Sequence, residues 1–547
     1  MTASILAVSL LVSAVFATAS TAQPDVLGFR STTALVQVNV IVTGKGGPIL
    51  DLSKDDFTLL DRGKPRPISA FMAPQHAAAG PPAGHVLSGT FSKPAGQDGA
   101  GPVSATVLLL DCLNTSFRNQ TFARREVIKW LRQVDPQQRI ALYLLAKSLH
   151  VVHDFTSDPN ELIAFLTRFR GVYSSDEAVS DPAAQLKTGI PELDAIMEHL
   201  NGVLADHAKV NRGRVTLGAM EAIANHLSGI PGRKNLVWVS GGFPFSVGTT
   251  DPEAWKSGLA GRDREMTTFR GQADRVTRLF NQANIVIYPV DAGGLAMDTA
   301  FKDATQGQAQ GQRPLPVGLR DEARSSHETM EELASGTGGR AFYNSNDLSG
   351  AIERAVADAD ATYTLGFYPD ADDLDGKFHN LTVKTRREGV RLRFRKGYIA
   401  YAGSQPTDAD RTLALRAALI SPLPATGIDL TLRISRKDAV PGGAIGAEVV
   451  ADTRQVTIER RGERLAGSVE ALFAQQDAAG AVVDLFRTTI KIDFSQEEYA
   501  KALDEGLILR KTIQLKEKAA TVRIVVQDRM SGALGSLVVP ASRLKQP

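Results

Sequence analysis

The sequence predicts a doubly wound, mostly parallel α/β sheet with β-sandwich modules on either side of it. Three observations carry that reading. Residues 104–360 alternate continuous apolar runs with apolar residues at helical spacing, the pattern of successive strand–helix units. Residues 31–75, 361–400 and 425–541 instead alternate apolar and polar positions with a period of two between glycine-containing turns. The composition, 43% hydrophobic and 22% charged over 547 residues, allows several folded cores.

Taken in order, the chain opens on an apolar run from Ile5 to Ala17, with Ser20 and Ala22 spaced as in a cleavage site before Gln23. Residues 1–22 are expected to be a secretory signal peptide. The run is shorter than the roughly 20 residues of a spanning helix, and no later stretch is apolar enough, so no transmembrane helix is expected in the mature chain. One cysteine in the chain excludes an intramolecular disulfide, a four-thiolate zinc site and a cysteine-ligated iron–sulfur cluster. An exported chain with a single thiol fits a bacterial periplasm or secreted location.

In residues 31–75, Val36, Val38, Val40 and Val42 share one face of a strand, and Phe57 and Leu59 lead into a turn at Asp61–Lys64. Residues 76–103, rich in Ala, Gly and Pro, read as a flexible linker. Ala105–Leu110 is a strand buried on both faces. Ala123, Val127, Trp130, Leu131 and Val134 define the following helix. Strands are expected at Ile140–Ala146, Leu149–Phe155, Asn235–Val239, Ile285–Val290 and Gly339–Tyr343. Helices are expected after Pro159, over Val215–Leu227 and over Leu348–Ala359. Residues 171–192 read as a loop insertion and 303–322 as a mobile loop. This Rossmann-like pattern gives way after Thr362 to a β segment, 361–400. Residues 425–541 form a second, immunoglobulin-like sandwich with a short helix at Ser495–Leu507.

Size constrains how these parts assemble. The segments 31–75 and 361–400 are each too small to bury an adequate core. Each has one apolar face, so the two are expected to pair in a single β-domain, with 104–360 inserted between them.

The strand ending Leu110-Asp111-Cys112-Leu113-Asn114-Thr115-Ser116, its amphipathic helix, and Leu236-Val237-Trp238-Val239-Ser240-Gly241-Gly242 together resemble a von Willebrand factor type A (VWA) domain. The flanks GGPILDLSKDDFTLLDRGKP and GKFHNLTVKTRREGVRLRFRKGYIA resemble those of an acidobacterial-type, exported branch of that family. The resemblance implies a metal-ion-dependent adhesion site built from D-x-S-x-S after the first strand, a loop Thr and an Asp after the fourth strand. Mapped onto this chain, Asp111 and Thr115 keep two positions and Thr216 supplies the loop Thr. Leu113 takes the middle Ser position, and Gly241 takes that of the second Asp. Asn114 is expected to point away.

Hard cations need oxygen ligands, and a unit charge at ~4 Å is worth about 4 kcal/mol at an effective dielectric near 20. The site is therefore degenerate. One reading is a weakened site for Mg²⁺ or another divalent cation at Asp111, Thr115 and Thr216, with Asp291 as a weaker substitute ligand. The preferred reading is that Asp111 and Thr115 cap the next helix and order the loop.

Other patterns are weaker. Ser240 follows a buried strand like a nucleophile, but the first Gly of G-x-S-x-G is absent. His150 and His153, three apart in a strand, face opposite ways. Cys112 reads as a small buried hydrophobe. Arg391, Arg393 and Arg395 share a strand face that is either a patch for anionic envelope polymers or a solvated edge. With 62 Lys and Arg against 60 Asp and Glu, the chain lacks the concentrated positive charge of a nucleic-acid binder. The function expected from the whole is non-enzymatic: an exported adhesion or interaction protein that binds a protein partner and associates with the cell envelope. The alternatives are a serine hydrolase using Ser240 and a structural envelope protein using the arginine face.

Overall fold

The computed structural model describes residues 35–74, 90–92, 105–135, 138–172, 191–230, 232–243, 260–293, 317–373, 375–401, 407–440 and 444–545. The expected signal peptide lies outside them. The chain is a mixed α/β structure with several sheets, of which one is largely parallel.

Before the α/β region come β1 (Val36–Gly44), β2 (Phe57–Asp61), β3 (Lys64–Arg66) and β4 (Ala70–Met72). The expected linker contributes β5 (Thr90–Ser92), which pairs with a strand of the C-terminal region; its remainder is outside the described residues. The α/β region holds β6 (Ala105–Asp111), α1 (Phe117–Leu131), β7 (Arg139–Leu145), β8 (Leu149–Thr156), α2 (Pro159–Arg168), α3 (Pro191–Leu227), β9 (Lys234–Ser240), α4 (Ala260–Gln282), β10 (Ile285–Asp291), α5 (Val317–Thr337) and α6 (Leu348–Asp360). It is followed by β11 (Thr362–Phe367), β12 (Asp375–Thr385), β13 (Arg391–Phe394) and β14 (Gly397–Tyr401). The C-terminal region contains α7 (Asp408–Ile420), β15 (Leu430–Val440), β16 (Ala444–Ala451), β17 (Arg464–Gln476), β18 (Val482–Phe494), α8 (Gln496–Glu505), β19 (Leu507–Gln514), β20 (Thr521–Asp528) and β21 (Leu534–Pro540).

The α/β sheet runs in the order β10-β9-β6-β7-β8, with only the edge strand β8 antiparallel. Period-two alternation puts Val107 and Leu109, with Leu236, Trp238, Ile285 and Ile287, on the face covered by α3, α4 and α5. Leu108 and Leu110, with Val237, Val239, Val286 and Tyr288, face α1 and α6. Burial on both faces explains why these strands read as unbroken apolar runs. Three expectations change. Residues 317–322, expected within a mobile loop, open α5. The helix ending at Leu227 begins at Pro191, before the expected Val215. The expected strand at Gly339–Tyr343 is reduced to one bridge, Val290 to Phe342.

Strands from before and after the α/β region pair directly. β1 pairs antiparallel with β11 from Val36↔Phe367 to Ile41↔Thr362, and β2 pairs with β12 from Asp61↔Leu381 to Phe57↔Thr385. Val38, Val40, Val42, Leu59, Tyr363 and Val383 meet in one core. In the C-terminal region, the sheets β19-β16-β15-β5 and β17-β20-β21 enclose a further core around Leu432, Val449, Phe473 and Ile524.

The regions are joined by polar seams. Asn39 donates to Asn284 at 2.8 Å, and Arg393 pairs with Asp358 on α6. Arg395 is buried, and burial pulls its guanidinium down to about 10. The expected arginine face is therefore corrected: Arg391 is exposed, whereas Arg393 and Arg395 are used within the protein. At the other seam, Thr426 accepts from the Gly229 amide at 2.6 Å, and its own amide donates to the Asn225 carbonyl.

Cys112 lies in the core between the sheet and α1, and burial pushes its thiol up to about 12 from 9.0. At pH 8 that lowers the thiolate fraction roughly a thousandfold. A chromogenic thiol reagent should therefore leave the folded chain unmodified and titrate one thiol once denaturant is added. Fast labelling of the native chain would contradict this packing.

Candidate functional site

Three neighbouring strands, β6, β9 and β10, end in Asp111, Ser240 and Asp291, all on the face covered by α3 and α5. The chain leaves β6 toward β7 on one side and returns to β9 on the other. This is the switch point where open α/β sheets place their ligands.

Asp111 is the centre of the rim. Its Oδ2 accepts from Asn114 Nδ2 at 2.8 Å, Trp238 Nε1 at 3.0 Å and Ser240 Oγ at 2.8 Å. Its Oδ1 accepts from the Asn114 backbone amide at 3.0 Å. Burial raises its carboxyl above the ordinary range, and these donors oppose the rise. A carboxylate offers about two lone-pair sites on each oxygen, so three donors crowd Oδ2 while Oδ1 accepts from one.

The structure places each expected metal-site residue at this rim but gives them different partners. Asn114, expected to point away, turns inward: its Nδ2 also donates to Thr216 Oγ1 at 2.8 Å. Thr216 is a helix residue of α3, not a loop residue, and its hydroxyl donates to the Arg212 carbonyl. Thr115 Oγ1 accepts from the Gly241 amide at 2.8 Å. The expected capping is also corrected. Ser116 caps α1, accepting from the Asn119 amide at 3.4 Å, while Asp111 orders the loop before it.

Gly241 cannot carry a carboxylate. A Cβ there would meet the Asn114 carbonyl oxygen at 2.7 Å and the Thr115 Cα at 3.1 Å. Ser240, one residue earlier, reaches Asp111 from β9, as Trp238 does. Ser240 is fully buried, and its hydroxyl partners are Asp111 and Gly242, with no imidazole among them. Asp291 is held by the Gly293 amide at 2.7 Å and by His327 Nε2 at 3.0 Å, so it does not turn toward Asp111 as a substitute ligand. The His327 ring stacks on Tyr343 with centroids 4.7 Å apart.

The amide of Asn114 bridges Asp111 Oδ2 and Thr216 Oγ1, two of the oxygens that the adhesion-site pattern assigns to an ion, while Asp111 Oδ1 accepts only from the Asn114 backbone amide. Among the described residues, no group of three or more His, Cys, Asp and Glu side chains is placed to hold a metal ion.

Three contributors were not legible as site residues. Trp238 reads as core, yet its indole N–H faces the carboxylate. Asn114 reads as a loop residue. Gln120, buried on α1, ties the Cys112 and Thr115 carbonyls to Val172 at 2.8–3.1 Å. The available signal for Gln120 was a polar residue on the apolar face of an amphipathic helix.

No family model matches the chain, and no curated protein does. Among solved structures, it is similar to an aerotolerance-related membrane protein from Bacteroides fragilis, 12% identical, with a TM-score of 0.25 over 47% of this chain and 98% of that one. The VWA domain of SpRpn10 is 10% identical, with a TM-score of 0.21 over 46% of this chain and 95% of that one. Three N-terminal domains of the type V pili tip protein Mfa5 from Porphyromonas gingivalis are 9% identical, with a TM-score of 0.26 over 94% and 96%. VWA-domain proteins are thus among the structural neighbours, at a distance that carries no argument about chemistry or partners.

Replacing Asp111 with Ala would strand the Trp238, Ser240 and Asn114 donors in a buried site. Each unsatisfied group costs about 1–3 kcal/mol, so Asp111→Ala should lose about 3 kcal/mol or more. Urea denaturation followed by tryptophan fluorescence checks this; a loss under about 1 kcal/mol would contradict the hydrogen-bond network.

Proposed function

We propose that this chain is an exported, non-enzymatic interaction protein that binds a protein partner at the carboxyl-end rim of its α/β sheet without a divalent ion. One observation carries the reading: Asn114 Nδ2 lies 2.8 Å from both Asp111 Oδ2 and Thr216 Oγ1. A neutral amide thus does internally what a cation does in an adhesion site, tying the oxygens of two elements together. The rim is thereby pre-organised, which lowers the ordering cost of binding.

Export rests on the apolar run and cleavage pattern of residues 1–22. Membership of the exported, acidobacterial-type VWA family rests on the flanking segments 46–65 and 376–400. The flanking sheet pairs serve in this reading as immunoglobulin-like spacers. The buried, carboxylate-bonded state of Ser240 disfavours a nucleophilic role for it.

Calorimetric titration of the chain with Mg²⁺ and Mn²⁺ should give no saturable heat, with Asp111→Ala as the baseline. A Kd tighter than about 1 mM that is lost in the variant would overturn the metal-free reading. Retention of an envelope protein on the immobilised chain should be unchanged by EDTA and reduced by charged substitutions at Leu113 and Ser116. Loss of the partner in EDTA alone would count against it. A serine-reactive probe should leave Ser240 unlabelled.

A further inference from the structure

The C-terminal region carries an edge that the rim does not explain. β18 is 13 residues long, and β17 pairs with it along one side from Leu465↔Phe494 to Gln476↔Val482. Among the described residues, no strand pairs along the other side. Protein edges of this kind are usually short, bulged, charged or interrupted by proline; β18 has charges, among them Arg487, Lys491 and Asp493. Here the one irregularity falls near Val482, and Asp484–Phe494 runs regularly without proline. Leu485 is 50% exposed and Phe486 37%. Beside the edge, the mouth between β18 and the edge strand β19 holds an open cavity of about 220 Å³, lined by Phe473, Phe486, Ile490, Ile508 and Leu509.

We propose that β18 is a self-association edge, on which a second copy of the chain lays its own β18 antiparallel about a two-fold axis at Ile490. Charge selects the occupant and the register. An isologous contact must match itself, and β18 does so in this register. Phe486 opposes Phe494, Arg487 opposes Asp493, Thr488 opposes Ile492 and Thr489 opposes Lys491, each pair occurring twice. Neighbouring registers are worse. An axis at Thr489 sets Arg487 against Lys491, and an axis at Lys491 sets that residue against itself; like charges directly opposite are unfavourable. An axis at Thr488 leaves Arg487, Lys491 and Asp493 facing uncharged residues. An axis at Ile492 matches Lys491 with Asp493 but keeps only 490–494 paired, against 486–494 for the axis at Ile490.

The charges already in place extend the match. Arg487 pairs with Glu470, and Asp493 accepts from Arg464 Nε at 3.0 Å. Joining two copies at Ile490 produces two lines of alternating sign: Glu470 and Arg487 of one copy, then Asp493 and Arg464 of the other.

Sedimentation equilibrium of the mature chain, residues 23–547, tests the proposal, with the thermal unfolding of each variant read alongside. The chain should form a reversible dimer. Arg487→Asp and Asp493→Arg should each weaken association at least tenfold, and the double variant should bind more tightly than either single one, because the swap rebuilds both pairs across the axis even though it sets like charges beside Glu470 and Arg464. Lys491→Glu, which faces Thr489, should change it less than about twofold. A monomer across a hundredfold range of concentration would overturn the proposal. So would a dimer indifferent to the single reversals, or a double variant that associates no more tightly than either single one.

Discussion

A carboxylate at the end of a strand buried on both faces must be satisfied from within, and the rim of the α/β sheet follows from how this is done for Asp111. Its four donors come from two elements: Asn114 in the loop after β6, and Trp238 and Ser240 on β9. The Asn114 amide adds a third element by reaching Thr216 on α3. Removing a charge from water costs several kcal/mol unless hydrogen bonds replace the hydration. The strand ends, the helix and the loop are therefore held in one arrangement by a single group. The same logic explains the neighbouring glycine. Gly241 lies so close to the Asn114 carbonyl that any side chain would push the loop away from Asp111.

The wider architecture obeys an equally simple constraint. Two β segments of a few dozen residues each cannot close a core alone. They lie on opposite sides of the α/β region in the chain and pair through β1–β11 and β2–β12. The β-module consequently clamps both ends of the α/β region. The seams are made of specific polar contacts, including Asn39 with Asn284 and Arg393 with Asp358. Such contacts favour one docking geometry in a way that apolar contact alone does not.

Several features were legible from residue order because they depend on local periodicity. The double-sided burial of β6, β9 and β10 shows as unbroken apolar runs, and the amphipathic helix α1 as spacing from Ala123 to Leu131. Asp111 was legible as a site residue because it terminates a buried strand at a switch point. Others were opaque for physical reasons. Helix α3 begins well before the expected Val215, at Pro191, and periodicity in its first turns did not reveal it. Arg393 and Arg395 alternate like an exposed face, but a neighbouring region covers them.

Periodicity and turn residues sufficed to establish a layered α/β region and its β-rich flanks, since each is a property of neighbours along the chain. Folding alone settled which way Asn114 turns, which of Ser240 and Gly241 faces the carboxylate, and what Trp238 donates to. These outcomes depend on groups between two and 129 positions apart meeting in three dimensions. The orientation of one short amide is decided by a few hydrogen bonds, each worth about 1 kcal/mol, whose partners are supplied only by packing.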